Sequence, residues 1–269
     1  MSSHDLFELE LLGGAVERQY RARRPHAERM PWGSLDLAAY TEEELAAGRR
    51  GWTDLAIQEY AAAASQANVL RMIVRARAPL DLSAMLASFP LDELAHTELC
   101  ARMAAELGGA AAIEYPVAEV FPAPAHGRGS LLAQAARAVS WEFCVGETLS
   151  HGQLAFHRRH ATHPLLAAVW GRLVKDEAAH ARFGWLFLDW ATPLLTAEER
   201  AEVATTIESA IAHVDHLDAK VNGLEPEAFL DVGVFGSQGR ETYLAETRAV
   251  LEEQVVRRLR ALTGTRGRS

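Results

Sequence analysis

Two copies of one five-residue pattern carry the chemistry this chain could perform: Asp92-Glu93-Leu94-Ala95-His96 and Asp176-Glu177-Ala178-Ala179-His180. Residues three apart on an α-helix share a face about 5–6 Å apart, so Glu93 with His96, and Glu177 with His180, can each grip one cation from a single helix. A further glutamate stands upstream of each copy, Glu59 34 residues before Glu93 and Glu147 30 residues before Glu177. Two helices bearing one carboxylate each, and two bearing Glu-x-x-His, set four carboxylates and two imidazoles around a metal pair inside a helical bundle. Carboxylate oxygen and imidazole nitrogen suit Fe(II) or Mn(II), and the set offers zinc none of the thiolates that its closed structural sites prefer. Two iron ions are the expected cofactor, and an iron–manganese pair is equally compatible.

Asp92 and Asp176 precede His96 and His180 by four residues and point the same way one turn earlier. A carboxylate there accepts the ring N–H of a metal-bound histidine, expected to be that of the opposite motif, which fixes the tautomer and raises ligand basicity. Ordinary charged helix surface is the competing explanation for a single Glu-x-x-His. Two Asp-led copies, each with its upstream glutamate, count against it.

The elements that must position these groups are helical hairpins. Antiparallel helices bring residues to equal height when they are equidistant from the turn. The midpoint of Glu59 and Glu93 falls beside Arg77–Pro79, and that of Glu147 and Glu177 beside Thr162–Pro164. Glu142, the rival carboxylate, would sit about 7.5 Å out of register at 1.5 Å per residue, so Glu147 is the expected ligand and Glu142 a peripheral group. The expected helices run from about Thr53 to Arg77, from there to Leu107 with a kink or restart at Pro90, from Ser130 to His160, and from Pro164 to Trp190. Two more, to about Lys220 and from Ser237 to Leu262, follow, the first opened by a Thr196/Glu199 capping box. Residues 109–129, with three prolines, read as one long crossover between the hairpins. Residues 1–52 read as an irregular cap with a short capped turn at Thr41 and Glu44, and no strand pattern is expected anywhere. The expectation is one all-α domain: a bundle over residues 53–191, an N-terminal cap, and additional C-terminal helices to residue 262.

Composition bounds the partners. Lys+Arg of 27 against Asp+Glu of 36 gives a net charge of −9, which argues against nucleic acid or an anionic membrane. The cluster Arg18, Arg21, Arg23, Arg24 reads as a solvated face or ion-pair patch. Two cysteines inside expected helices and the lack of an apolar leader fit a cytoplasmic location, and no apolar run reaches membrane-spanning length.

With these motifs the chain resembles the ferritin-like di-iron carboxylate superfamily, which includes ribonucleotide reductase radical subunits, bacterial monooxygenase hydroxylases, acyl-carrier-protein desaturases, rubrerythrins and arylamine N-oxygenases. The resemblance covers about residues 53–191. It implies a ferritin-like four-helix bundle, Glu59, Glu93, His96, Glu147, Glu177 and His180 as metal ligands, and dioxygen as co-substrate. Departures narrow it. Cys100 stands four residues after the first motif histidine, where radical subunits carry a tyrosine. Leu173 replaces the third histidine of N-oxygenases. His151 stands one turn after Glu147, where several hydroxylases place a threonine.

His151 is a candidate catalytic group, as an extra ligand or proton donor, with a satisfied core histidine as the alternative. Cys100 is a second candidate, against which stands small apolar packing, the reading favoured for it and for Cys144. The resulting expectation is an oxidoreductase that uses dioxygen to hydroxylate, N-oxygenate or desaturate a small organic substrate, with electrons from an external reductase because no flavin or iron–sulfur motif is present. The alternative is an iron-handling ferroxidase without an organic substrate. Substrate entry is expected near Glu59 and Ala62, and the long helices are compatible with a homodimer.

Overall fold

The structure, a computed structural model, describes residues 4–116, 128–222 and 239–263. It is all-α, with helices α1 (Gly14–Ala22), α2 (Glu42–Arg75) and α3 (Leu80–Glu106) in its first half. The rod α4 is built from Leu131–Val139, Ser140–Glu147 and Thr148–His160, and is followed by α5 (Pro164–Ala191) and α6 (Ala197–Asn222). A last rod, α7, joins Gly239–Val250, Leu251–Val256 and Arg257–Thr263. The exception is a three-residue antiparallel pairing of β1 (His4–Leu6) with β2 (Glu114–Pro116), which ties the N-terminus to the chain leaving α3. The sequence carries no period-2 signal over so short a stretch. Among the described residues, no helix is long and apolar enough to cross a membrane.

α2 starts eleven residues before the expected Thr53. Thr41 and Glu44 do form a reciprocal capping box, but it opens α2 itself rather than a separate turn. Leu45, Gly48 and Trp52 continue the buried stripe of Ala56, Glu59, Ala63, Gln66, Val69 and Ile73. Burial of that stripe outweighs the cost of about 1 kcal/mol for a helical glycine. Trp52 stacks on Trp170 of α5 at 4.4 Å, and Trp170 in turn on His157 of α4 at 4.8 Å. His157 is thereby packed against the bundle.

The α2–α3 turn falls where the sequence places it. Arg77 takes φ 59°, and Ala78 N–H donates to Ile73 O at 3.0 Å, closing the end of α2. α3 runs through Pro90 as one helix, so of the expected kink or restart the restart is ruled out. Its neighbour Phe89 is buried against Phe143 and Phe183, and this packing holds the helix across the missing N–H. Ser130 caps α4 by accepting from Ala133 N–H, and Thr196 and Glu199 form the second capping box. Of the expected crossover, residues 117–127 lie outside the described residues.

Two π-helical segments went unforeseen, Ser140–Glu147 inside α4 and Leu251–Val256 inside α7, and the first bears on the carboxylate cluster because it ends at Glu147. The backbone of α5 approaches it so closely at Gly184 that a Cβ there would stand 2.7 Å from Cys144 Sγ and 2.8 Å from Cys144 N. Cys144 thus faces α5, and the electrostatic partners that act on it are Arg258 and Asp189, so it does not face the carboxylate cluster. The Arg-rich stretch resolves as an ion-pair patch, with Arg21 on Glu17, Glu28 and Glu98, and the buried Arg24 on Glu98.

Candidate metal centre

α2, α3, α4 and α5 bring all six expected ligands together. Two groups of buried side chains each converge within 4.8 Å: Glu59, Glu93, His96 and Glu177, and Glu93, Glu147, Glu177 and His180. Glu93 and Glu177 belong to both. His96 Nδ1 lies 3.4 Å from Glu59 Oε2, 3.4 Å from Glu93 Oε2 and 3.2 Å from Glu177 Oε1. His180 Nδ1 lies 2.9 Å from Glu93 Oε1, 3.1 Å from Glu177 Oε2 and 3.9 Å from Glu147 Oε2.

The other ring nitrogens cross over as the spacing predicts. His96 Nε2 faces Asp176 Oδ2 at 3.3 Å and His180 Nε2 faces Asp92 Oδ2 at 3.6 Å, each aspartate belonging to the opposite motif. His96 Nε2 is within hydrogen-bond distance of its aspartate and His180 Nε2 is not, and in both the Nδ1 edge of the ring faces the carboxylate group, where a neutral imidazole would offer a lone pair to a cation. Arg172 Nε stands 2.6 Å from Asp176 Oδ2 and holds that carboxylate in place.

Several atoms in this interior have no hydrogen-bond partner: Glu93 Oε2, His96 Nδ1, Glu177 Oε2 and His180 Nδ1. Orphaned buried polar atoms are costly unless something else binds them, and these converge on common points. Four carboxylates also match the charge of two divalent cations, with both imidazoles neutral. The residues present therefore fit a metal pair, and the cluster is one that can hold metal.

The protonation pattern follows from the same crowding. Burial pushes Glu59 and Glu147 well above the ordinary carboxylate range, helped in each case by neighbouring glutamates. Burial acts in the same direction on Glu93 and Glu177, but contacts with both histidines outweigh it and hold these two low. Burial works against a charged His180, yet contacts with Asp92, Glu177 and Glu93 push it up to about 12, and His96 is likewise raised well above its ordinary value. Protons thus occupy the site wherever cations do not.

Gln66 is a member the sequence did not announce. It is fully buried, and its Nε2 donates to Glu93 Oε1 at 2.6 Å and to Glu147 Oε1 at 2.8 Å. Its signal was present: Gln66 lies two helical turns after Glu59, on the same face of α2. Glu142 is peripheral, as its register implies. It accepts from Ser65 Oγ at 2.7 Å, and burial raises its pKa to about 7.

The two candidate catalytic groups lie beside the cluster rather than in it. Cys100 is buried among Trp52, Ala56 and Met103, where burial first and then Glu59 push its thiol pKa up. His151 enters neither ligand group. It lines a cavity of about 340 Å³ between α4, α5 and α7, and burial lowers its pKa while Glu177 opposes the shift. Around His180 the wall is aromatic, with Phe89 at 4.0 Å and Phe143 and Phe183 behind it.

Comparison of the chain with protein-family models, curated proteins and solved structures returned no match.

Proposed function

We propose that the protein is a di-iron oxidoreductase of the ferritin-like type, using dioxygen to oxidise a small organic substrate. The observation that carries this reading is the sharing of Glu93 and Glu177 between two ligand groups, each completed by a histidine whose second nitrogen faces an aspartate. A shared pair of carboxylates favours two adjacent cations over two separate sites. Oxygen and imidazole donors with no thiolate favour iron, with manganese admissible at one position.

A bound ferrous pair supplies the electrons and the Lewis acidity for dioxygen chemistry. The chain's own residues do the rest. Glu59, Glu93, Glu147 and Glu177 with His96 and His180 would hold the cations, Asp176 would fix the His96 tautomer, and Asp92 would orient His180 from the opposite motif. Gln66 anchors Glu93 to Glu147 through its amide. Phe89, Phe143 and Phe183 exclude water on the His180 side. His151, one turn beyond Glu147 and on a cavity wall, is placed to pass a proton at its ring nitrogen. Electrons for repeated turnover come from an external reductase.

The test is rapid mixing of anaerobically Fe(II)-loaded protein with dioxygen while the visible spectrum is followed. A transient band with uptake of dioxygen is expected. Two bound irons that stay spectrally silent under dioxygen would overturn the oxygenase reading.

A further inference from the structure

The cavity beside the ligand helices carries a charge that the carboxylate cluster does not explain. Its walls include Thr148 and Ala178, which directly follow Glu147 and Glu177, and Ala181, which directly follows His180. His151, one turn beyond Glu147 on the same helix face, lines it as well and lies within reach of the Glu177 charge, which sets the cavity beside the His180 half of the cluster. Two arginines from different elements, Arg182 of α5 and Arg258 of α7, also line it, with His151 on the α4 wall.

Neither arginine has a carboxylate within ion-pair distance among the described residues. Arg182 Nε donates to Ala178 O at 3.1 Å, one turn back on its own helix. Arg258 lies over the Trp185 ring with its guanidinium carbon 5.0 Å from the centroid. Among the described residues other arginines of this acidic chain also go without an ion pair, Arg71 and Arg158 included, so what sets Arg182 and Arg258 apart is that both line one cavity together with His151. Two guanidiniums without counter-charge at one cavity, above an indole, define a site that attracts an anion and packs an apolar body.

We infer that this cavity binds the substrate of the di-metal site, and that the substrate is a small organic acid whose carboxylate or phosphate is held by Arg182 and Arg258. The apolar part lies against Trp185, and the end to be oxidised is directed past His151 toward Glu147 and Glu177. This rests on the oxygenase reading for what happens to the ligand, though not for the binding itself. It also moves the entry route from the expected Glu59–Ala62 side of α2 to the α4–α5–α7 side.

Ligand-observed NMR titration of metal-free and Fe(II)-loaded protein tests it, with hexanoate, hexyl phosphate and the neutral methyl hexanoate as probes. Binding of at least one anion and exclusion of the ester are expected. Stronger hexanoate binding would mark a carboxylate as the natural group, and stronger hexyl phosphate binding a phosphate. Arg182→Gln and Arg258→Gln should each weaken the anion about tenfold, the loss expected for one charged hydrogen bond. Arg182→Lys should keep part of the affinity. Both arginines are exposed, so the variants fold, which helical circular dichroism verifies. Equal binding of ester and acid, or no effect of either glutamine variant, overturns the inference. Anion binding that needs these arginines in a protein inert to dioxygen would sink the oxygenase reading and leave the cavity assignment standing.

Discussion

The two halves of the candidate metal centre grow from the same pentad and end in different surroundings. On the His96 side, Asp176 is 11% exposed and fixed by Arg172, and Glu59, the carboxylate found in that group alone, comes from regular α-helix. On the His180 side, Asp92 is 34% exposed with no arginine upon it, Glu147 ends a π-helical segment, and a cationic cavity lies alongside. A duplicated motif thus yields one braced half and one adaptable half. Bracing suits a cation that stays, whereas irregular backbone next to a cavity suits the position where ligands exchange.

The largest expected effect separates shared from unshared ligands. Glu93→Ala or Glu177→Ala removes a carboxylate from both groups and should lower iron content from about two per chain to near none. Glu59→Ala or Glu147→Ala should leave about one. Elemental analysis after anaerobic loading reads this, and equal losses from all four variants would break the comparison.

Next in size are the aspartates. Asp176→Asn should weaken iron binding about 10–100-fold in chelator competition, the range for groups that orient a metal-bound histidine. Asp92→Asn, wetter and unbraced, should fall at or below the lower end. A larger loss at Asp92 would reverse the assignment of the braced half.

Iron binding should also strengthen as pH rises. Raised values for Glu59, Glu147, His96 and His180 mean that the metal-free site holds protons, and each cation must displace them. Iron addition in weakly buffered solution should therefore release protons, and affinity should fall as pH falls. Pulse titration with a pH electrode checks the sign, and proton uptake would contradict it.

The smallest effect concerns the π segment. Gly184→Ala forces a methyl against Cys144 and should destabilise the protein by about 1–3 kcal/mol in thermal unfolding, with iron binding weakened on the Glu147 side more than on the Glu59 side.

Much of the site was legible because metal ligation imposes spacing. Glu-x-x-His on one helix and equal distances from a turn constrain sequence directly, and all six expected ligands converge. The crossed Asp–His pairs follow from the same geometry. What escaped depends on partners distant in sequence. Gln66 looks like any helix-face glutamine until Glu93 and Glu147 arrive from other helices. The π segment costs no unusual residue within itself and is matched by a glycine 37 positions past its last residue, at Gly184. The early start of α2 turned on whether Gly48 and Gly51 end a helix or lie inside one, which packing of Leu45 and Trp52 decides.

Anomalous diffraction at the iron edge from crystals of the iron-loaded protein tests the shared two-metal site most directly. Two peaks about 3.5–4 Å apart are expected, with Glu93 and Glu177 reaching both and one histidine on each. A single peak, or two without a common carboxylate, would contradict the account.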